Sequence, residues 1–290
     1  MVITYRKFEN PADLDLQRDL WLEATKKLPW AWKPNNTQKW FSQQSNFDAS
    51  SKLFAQDGNK PVGYISCIRR ENFTPMGFPW VLEGYEGEIQ DHLFDTVYSY
   101  AISTFKSKSF LQRFRKEWKY QIRFFERKGF NLDWANPIYV LDLQNKGKID
   151  INSRNEISIF KRVPNEDFQI IAQNDSWLKT EDFMSLITYF NEDIDLDWVL
   201  LLKKGSIPVA ISAVTIRADT GYAELNLLAE NSEFPGEIDI ALEITVNEMI
   251  SRQVNWLSVT LEQNSPKIDF YESYDFKLKS ESVFYSKELE

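Results

Sequence analysis

A chain of 290 residues, 43% hydrophobic and 27% charged, is an ordinary globular composition, long for one core and comfortable for two domains. One cysteine, Cys67, and one histidine, His92, exclude an intrachain disulfide and a cysteine-cluster zinc site, and argue against a histidine-containing triad. The net charge of −9 is uneven, with nine basic residues against two acids from Lys106 to Lys128, which is narrower than the basic surface of a nucleic-acid protein.

Whatever chemistry occurs here therefore falls to carboxylates, tyrosines, backbone groups or a bound cofactor. No apolar run approaches the ~20 residues of a membrane span. The stretch Met1 to Lys7 lacks the apolar core of a signal peptide. The expected compartment is the cytoplasm, and no metal is expected. His92, following Asp91 on a helical pattern, reads as a surface residue. The basic run reads either as a solvated helix face or as a patch for one phosphorylated small molecule.

In chain order, Ile3 to Phe8 reads as a strand and Pro11 as a helix start with Asn10 as its cap. Trp21, Trp30, Trp32 and Trp40 then punctuate a helical and irregular region. Lys52 to Gln56 and Pro61 to Ile68 flank Asp57-Gly58-Asn59, a hairpin signal. Gly87 opens an amphipathic helix with Ile89, Leu93, Val97 and Ala101 at i, i+4 spacing. Phe110 to Arg115 alternates as a strand, and Tyr120 to Lys128 is a short helix ended by Gly129. Ile138 to Leu143 is a further strand, and the polar stretch Gln144 to Glu156, with Gly147, Asn152 and Ser153, reads as a linker.

The order then repeats. Ile157 to Val163 is a strand and Pro164 begins a helix. Trp198 to Lys203 and Pro208 to Ile216 flank a turn at Gly205, and Tyr222 to Leu228 is another strand. Gly236 opens a helix through Ile250, Trp256 to Leu261 is a strand, Pro266 to Ser273 a short helix, and Ser282 to Ser286 a last strand. Residue echoes support a duplication: Gly87-Glu88-Ile89, Leu93 and Thr96-Val97 return 149 positions later as Gly236-Glu237-Ile238, Leu242 and Thr245-Val246. The expected fold class is α/β, or α+β with a mixed sheet, in two tandem domains, 1–145 and 155–290.

The segment Asn264-Ser-Pro-Lys-Ile-Asp-Phe270-Tyr271-Glu272, followed by Phe276, resembles the Asn, helix, Phe-Tyr-Glu, Gly-Phe run of the GNAT superfamily of acyl-CoA-dependent N-acetyltransferases. The first half has Phe124-Phe125-Glu126 and then Gly129-Phe130, with Phe125 where tyrosine is usual. The hairpin, the central strand and the glycine before a long helix match in order, twice, over nearly the whole chain.

The resemblance implies acetyl-CoA as co-substrate and an amine as acceptor. It implies a pyrophosphate site at the glycine-opened helix start, where free N–H groups and the helix dipole favour an anion. By the same resemblance, Leu227 and Leu228 of the central strand, Gly236, Ile238, Asn264 and Gly87 are the expected cofactor contacts. Tyr271 is the expected acid for the departing thiolate. Strand alternation puts Tyr222, Glu224 and Asn226 on one face, so Glu224 could accept the amine proton; a solvent-facing strand residue is the competing reading, as a core tyrosine is for Tyr271.

Both phosphate loops depart from the family's pattern: one glycine survives in each, and Glu86, Glu88, Glu233 and Glu237 bring negative charge, at about 0.5–2 kcal/mol each if turned inward. The leading expectation is an acetyltransferase active in its C-terminal half, with a degenerate N-terminal half. The alternative is an inactive relative that binds a CoA-like ligand or a protein partner in a regulatory role. The sequence sets no oligomeric state.

Overall fold

The computed structural model describes residues 2–9, 11–34, 48–151, 155–175, 186 and 189–289. Asn10, Trp40, Asn152 and Ser153 lie outside the described residues. The chain divides into two compact units, one of residues 1–136 and 280–290 and the other of residues 137–279.

Unit 1 begins with β1 (Ile3–Lys7) and α1 (Ala12–Thr25). The entry to α1 is fixed by Asp13, whose buried carboxylate takes two bonds from the Arg6 guanidinium, at 2.8 and 2.6 Å, and one from the Glu9 amide at 2.8 Å. A bidentate, charge-assisted pair of this kind holds strand and helix together more firmly than a neutral cap. The hairpin of β2 (Lys52–Asp57) and β3 (Lys60–Ser66) turns at Gly58 as expected. The next strand is broken: β4 (Thr74–Pro75) runs parallel to β6 (Ser109–Arg115), whereas β5 (Trp80–Val81) runs antiparallel to β3. Pro75 and Pro79 withhold ladder donors around the break. At Gly77 a Cβ would lie 2.4 Å from the Ser66 carbonyl oxygen, so the backbone crosses there only as glycine.

Helix α2 (Glu88–Tyr100) buries Ile89, Leu93 and Val97, with Ala101 following, which is the stripe its spacing foretold. Helix α3 (Lys119–Arg127) follows β6. The core is strongly aromatic, with Phe78, Phe94, Phe114, Phe124, Phe125 and Phe130 within ring contact of one another.

Unit 2 takes β7 (Asn131–Asp142) from Pro137 onward, then β8 (Glu156–Phe160), α4 (Asn165–Asn174), β9 (Trp198–Lys204), β10 (Ile207–Arg217), β11 (Tyr222–Glu230), α5 (Glu237–Ser251), β12 (Trp256–Thr260) and α6 (Ile268–Ser273). The strand order is β7-β12-β11-β10-β9-β8, antiparallel except for β11 beside β12. Helix α5 covers one face through Ile238, Leu242, Val246 and Met249, and α4 covers the other through Phe168 and Ile171. Each large apolar side chain so buried contributes roughly 1.5–3 kcal/mol.

The final strand, β13 (Lys277–Glu288), belongs to unit 1 from Ser280 onward, where it pairs antiparallel with β6 and sends Val283 and Tyr285 into that core. In exchange, residues 137–142 pair with β12 inside unit 2. Each unit is therefore completed by a strand from the other half of the sequence repeat. Among the described residues, no helix is long and apolar enough to cross a membrane.

Candidate functional site

Among the described residues of unit 2 the one parallel pair holds together over three positions, Tyr222 opposite Trp256, Ala223 opposite Leu257, and Glu224 opposite Ser258. Beyond Glu224 the two strands part, although both continue. The antiparallel side of β11 changes register at the same place: Val214 faces Leu225, and Ala213 faces Leu227, leaving Asn226 as an extra residue. This is a β-bulge, which bends the strand and re-aims its backbone groups.

The bulge also corrects a simple alternation. Ala223, Leu225 and Leu228 enter the core under α5, whereas Leu227 and Ala229 enter the core under α4. Leu227 and Leu228 thus face opposite sides of the sheet. Asn226 donates to Thr215 Oγ1 at 3.0 Å and to the Glu224 carbonyl at 2.9 Å, which pins the bulge. Tyr222 is buried with its hydroxyl 2.7 Å from Ser258 Oγ, which also bonds the Ala223 carbonyl at 3.0 Å. Glu224, half-buried, stands at the last paired position, where the strands separate.

The start of α5 follows the loop after β11. Gly236 precedes it with φ +90°, a backbone state that glycine adopts without strain. Of the acids flagged in this loop, Glu233 is exposed. Glu237 is buried, ion-paired with Lys204 at 2.5 Å and hydrogen-bonded to Asn155. The carboxylate that engages the helix start is one the sequence did not single out: Glu230 accepts the Ile238 amide at 3.0 Å. An anionic group thus already occupies the position that the helix dipole offers to an anion.

Asn264 is exposed in the turn before α6, with φ +62°. Tyr271, on α6, is buried between Phe270 and Phe276, with ring centroids at 5.2 and 5.3 Å. Burial raises its hydroxyl pKa above the ordinary tyrosine value. The helix ends through Asp275, at φ +71°, in the place that Gly129 holds in unit 1.

In unit 1 Gly87 precedes α2, and its amide is bonded by the Gln90 side chain at 3.3 Å. Gln90 is itself buried and donates to the Pro79 carbonyl at 3.0 Å. Glu86 turns back to the Gly84 amide at 2.9 Å. Three members of the basic run form ion pairs: Arg127 and Lys128 with Asp91, Lys128 also with Asp95, and Lys116 with Glu281. His92 is exposed, its ring 3.9 Å from that of Tyr5. Among the described residues, no cluster of three His, Cys, Asp or Glu side chains is placed to hold a metal.

A mixed sheet whose bulged central strand parts from its parallel neighbour, beside a glycine-opened helix start, is the arrangement of unit 2, and the chain as a whole has the fold of solved GNAT proteins. Its likeness to solved structures is full-length. A tandem GNAT protein from the clavulanic acid biosynthesis pathway matches with a TM-score of 0.71 at 14% identity, over 99% of this chain and 98% of its own. A GCN5-related N-acetyltransferase from Sphaerobacter thermophilus matches with a TM-score of 0.55 at 13% identity, over 99% and 95%. The N-myristoyltransferase of Saccharomyces cerevisiae, solved with myristoyl-CoA, matches with a TM-score of 0.56 at 12% identity, over 98% and 78%. No protein-family model and no curated protein matches the sequence.

Proposed function

We propose that this chain transfers an acetyl group from acetyl-CoA to a primary amine of a small molecule or peptide, with the chemistry in unit 2. The observation that carries the reading is the parting of β11 from β12 at Glu224, immediately before the Asn226 bulge. An opening there frees backbone groups to hold an extended thioester arm and polarise its carbonyl. The amine nitrogen attacks the carbonyl carbon, and its proton passes to Glu224 directly or through water. The tetrahedral intermediate then collapses, the C–S bond breaks, and the sulfur leaves as thiolate.

In this reading the Tyr271 hydroxyl donates a hydrogen bond to the departing sulfur. Leu227 and Leu228 border the opening, and Gly236, Ile238 and Asn264 are the donor-side contacts of this reading. Gly87 marks the equivalent helix start in unit 1. The reading calls for no metal and no nucleic acid. It places the protein in the cytoplasm with its acetyl donor.

A second reading, a chain that binds a CoA-like ligand or a partner without turnover, is favoured by one feature: the Glu230 carboxylate on the Ile238 amide. Calorimetric titration with acetyl-CoA, followed by acetyl transfer across an amine panel, separates the two. The enzyme reading expects saturable donor binding and turnover that falls about 100-fold or more in Glu224→Gln, with unchanged melting temperature. Donor binding with no transfer to any amine selects the second reading.

A further inference from the structure

We propose that unit 1 carries a separate binding site for a small, flat, uncharged ligand bearing a carboxamide group. The break between β4 and β5 opens a cavity of about 310 Å³. Tryptophan and other aromatic side chains surround it: Trp21, Trp32, Trp80, Tyr64 and Phe78, with Gln17 among them. Trp21 meets Trp80 edge-on at 4.7 Å and lies 5.6 Å from Trp32. These rings are large apolar surfaces suited to a planar body. The volume falls at the lower end of the range for small-molecule sites.

Two polar atoms point to what the planar body must carry. Gln17 is 3% exposed and its side-chain oxygen has no hydrogen-bond partner; Trp21 is 7% exposed and its indole N–H has none. They stand four residues apart on α1, on the same helical face, and both line the cavity. A buried acceptor and a buried donor left unpaired are each costly, so native interiors seldom leave them so. A ligand that presents an N–H next to a C=O satisfies both at once. A carboxamide carries both groups side by side, an N–H for the Gln17 oxygen and a C=O for the Trp21 indole.

Charge narrows the class. Among the described residues no carboxylate lines the cavity, and the Arg113 guanidinium borders it, stacked 4.3 Å from the Trp32 ring centre. A cation there meets like charge, and a carboxylate sets its oxygens against the Gln17 oxygen. An uncharged amide meets neither penalty. The site lies within unit 1 and is independent of the acyl-transfer reading for unit 2.

Saturation-transfer NMR on the full chain, with benzamide as the probe, tests the proposal. At about 0.3 kcal/mol per heavy atom, a probe of this size binds with a Kd near 10 mM or tighter. The expected result is saturable binding in that range, with benzoate and benzylammonium at least about tenfold weaker. Gln17→Met replaces the amide by an apolar side chain of similar length, Trp21→Phe removes the indole N–H with part of the ring, and each weakens benzamide by about fivefold. Gln17→Met, by removing an unpaired polar group, also raises the melting temperature of the ligand-free chain. Absence of saturable benzamide binding overturns the proposal. So does unchanged affinity in both variants, or charged probes that bind as well as the amide. A fall in melting temperature for Gln17→Met means that the amide is already paired, and overturns it equally.

Discussion

Lys52 and Tyr271 show how burial decides what single residues do. Lys52 is 3% exposed, and burial pushes its ammonium down from the ordinary 10.5 to about 8, against the opposing pull of Cys67 and Asp48. Below pH 8 both folded and unfolded chains hold this proton, and the folded chain carries the full cost, about 3 kcal/mol. Between pH 8 and 10.5 the unfolded chain keeps a proton that the folded chain has released, so this contribution to stability rises with pH. Cys67, whose thiol burial pushes up to about 12, acts in the opposite sense above pH 9. Lys52→Met should therefore stabilise the chain by up to about 3 kcal/mol at pH 7, with the gain fading by pH 10.5. Urea denaturation at both pH values measures it, and a pH-independent gain refutes this account. Tyr271→Phe separates a donor from a core ring: turnover should drop about tenfold or more while the melting temperature moves by only a few degrees. The sequence offered Tyr271, by resemblance, and Glu224, by strand alternation, as candidates. It missed Glu230 because a carboxylate at a strand end carries no motif, and its bond to Ile238 exists only once the loop has turned back.

Among the elements, α5 is where local and tertiary demands compete. Its opening glycine and its extent were readable from the sequence as an echo of the helix opened by Gly87, and the Ser212–Thr245 hydroxyl pair at 2.7 Å shows how closely it seats on β10. Its N-terminus is held by Glu230, and that same carboxylate repels an incoming pyrophosphate. Glu230→Gln should cost about 0.5–1 kcal/mol of stability through the weakened helix-dipole contact. It should at the same time tighten acetyl-CoA, because the anionic competitor is gone. Thermal unfolding and calorimetry on one preparation read both signs; weaker donor binding in the variant means that Glu230 supports the site. Strand β11 shows the reverse relation between sequence and structure. Its alternation placed Tyr222 and Glu224 correctly up to Asn226, and failed after it, because a bulge is set by the register of β10 as well as by β11 itself.

For the whole molecule, the exchange of final strands has a mechanical consequence. Ending the chain at Lys279 removes Val283 and Tyr285 from the core of unit 1 and strips β6 of its partner, while unit 2 keeps all of its strands. Hydrogen exchange on that truncated chain should show unit 1 losing protection and unit 2 retaining it. Equal loss in both units means that the two fold as one. Neither half of the repeat should fold alone, since 1–145 lacks β13 and 155–290 lacks residues 137–142 beside β12. Sequence alone established the doubling, the order of strands and helices, the glycine-opened helices and the limit that a single cysteine and a single histidine set on disulfides and metal clusters. Those follow from composition and from periodicities of two and 3.6 residues, which are local. Only the tertiary structure decided that the final strands trade units, that β11 bulges at Asn226, that Glu230 takes the helix start, and that Gln17 and Trp21 face a cavity unpaired. Each of these depends on groups brought together from distant parts of the chain, where no local spacing can express the contact.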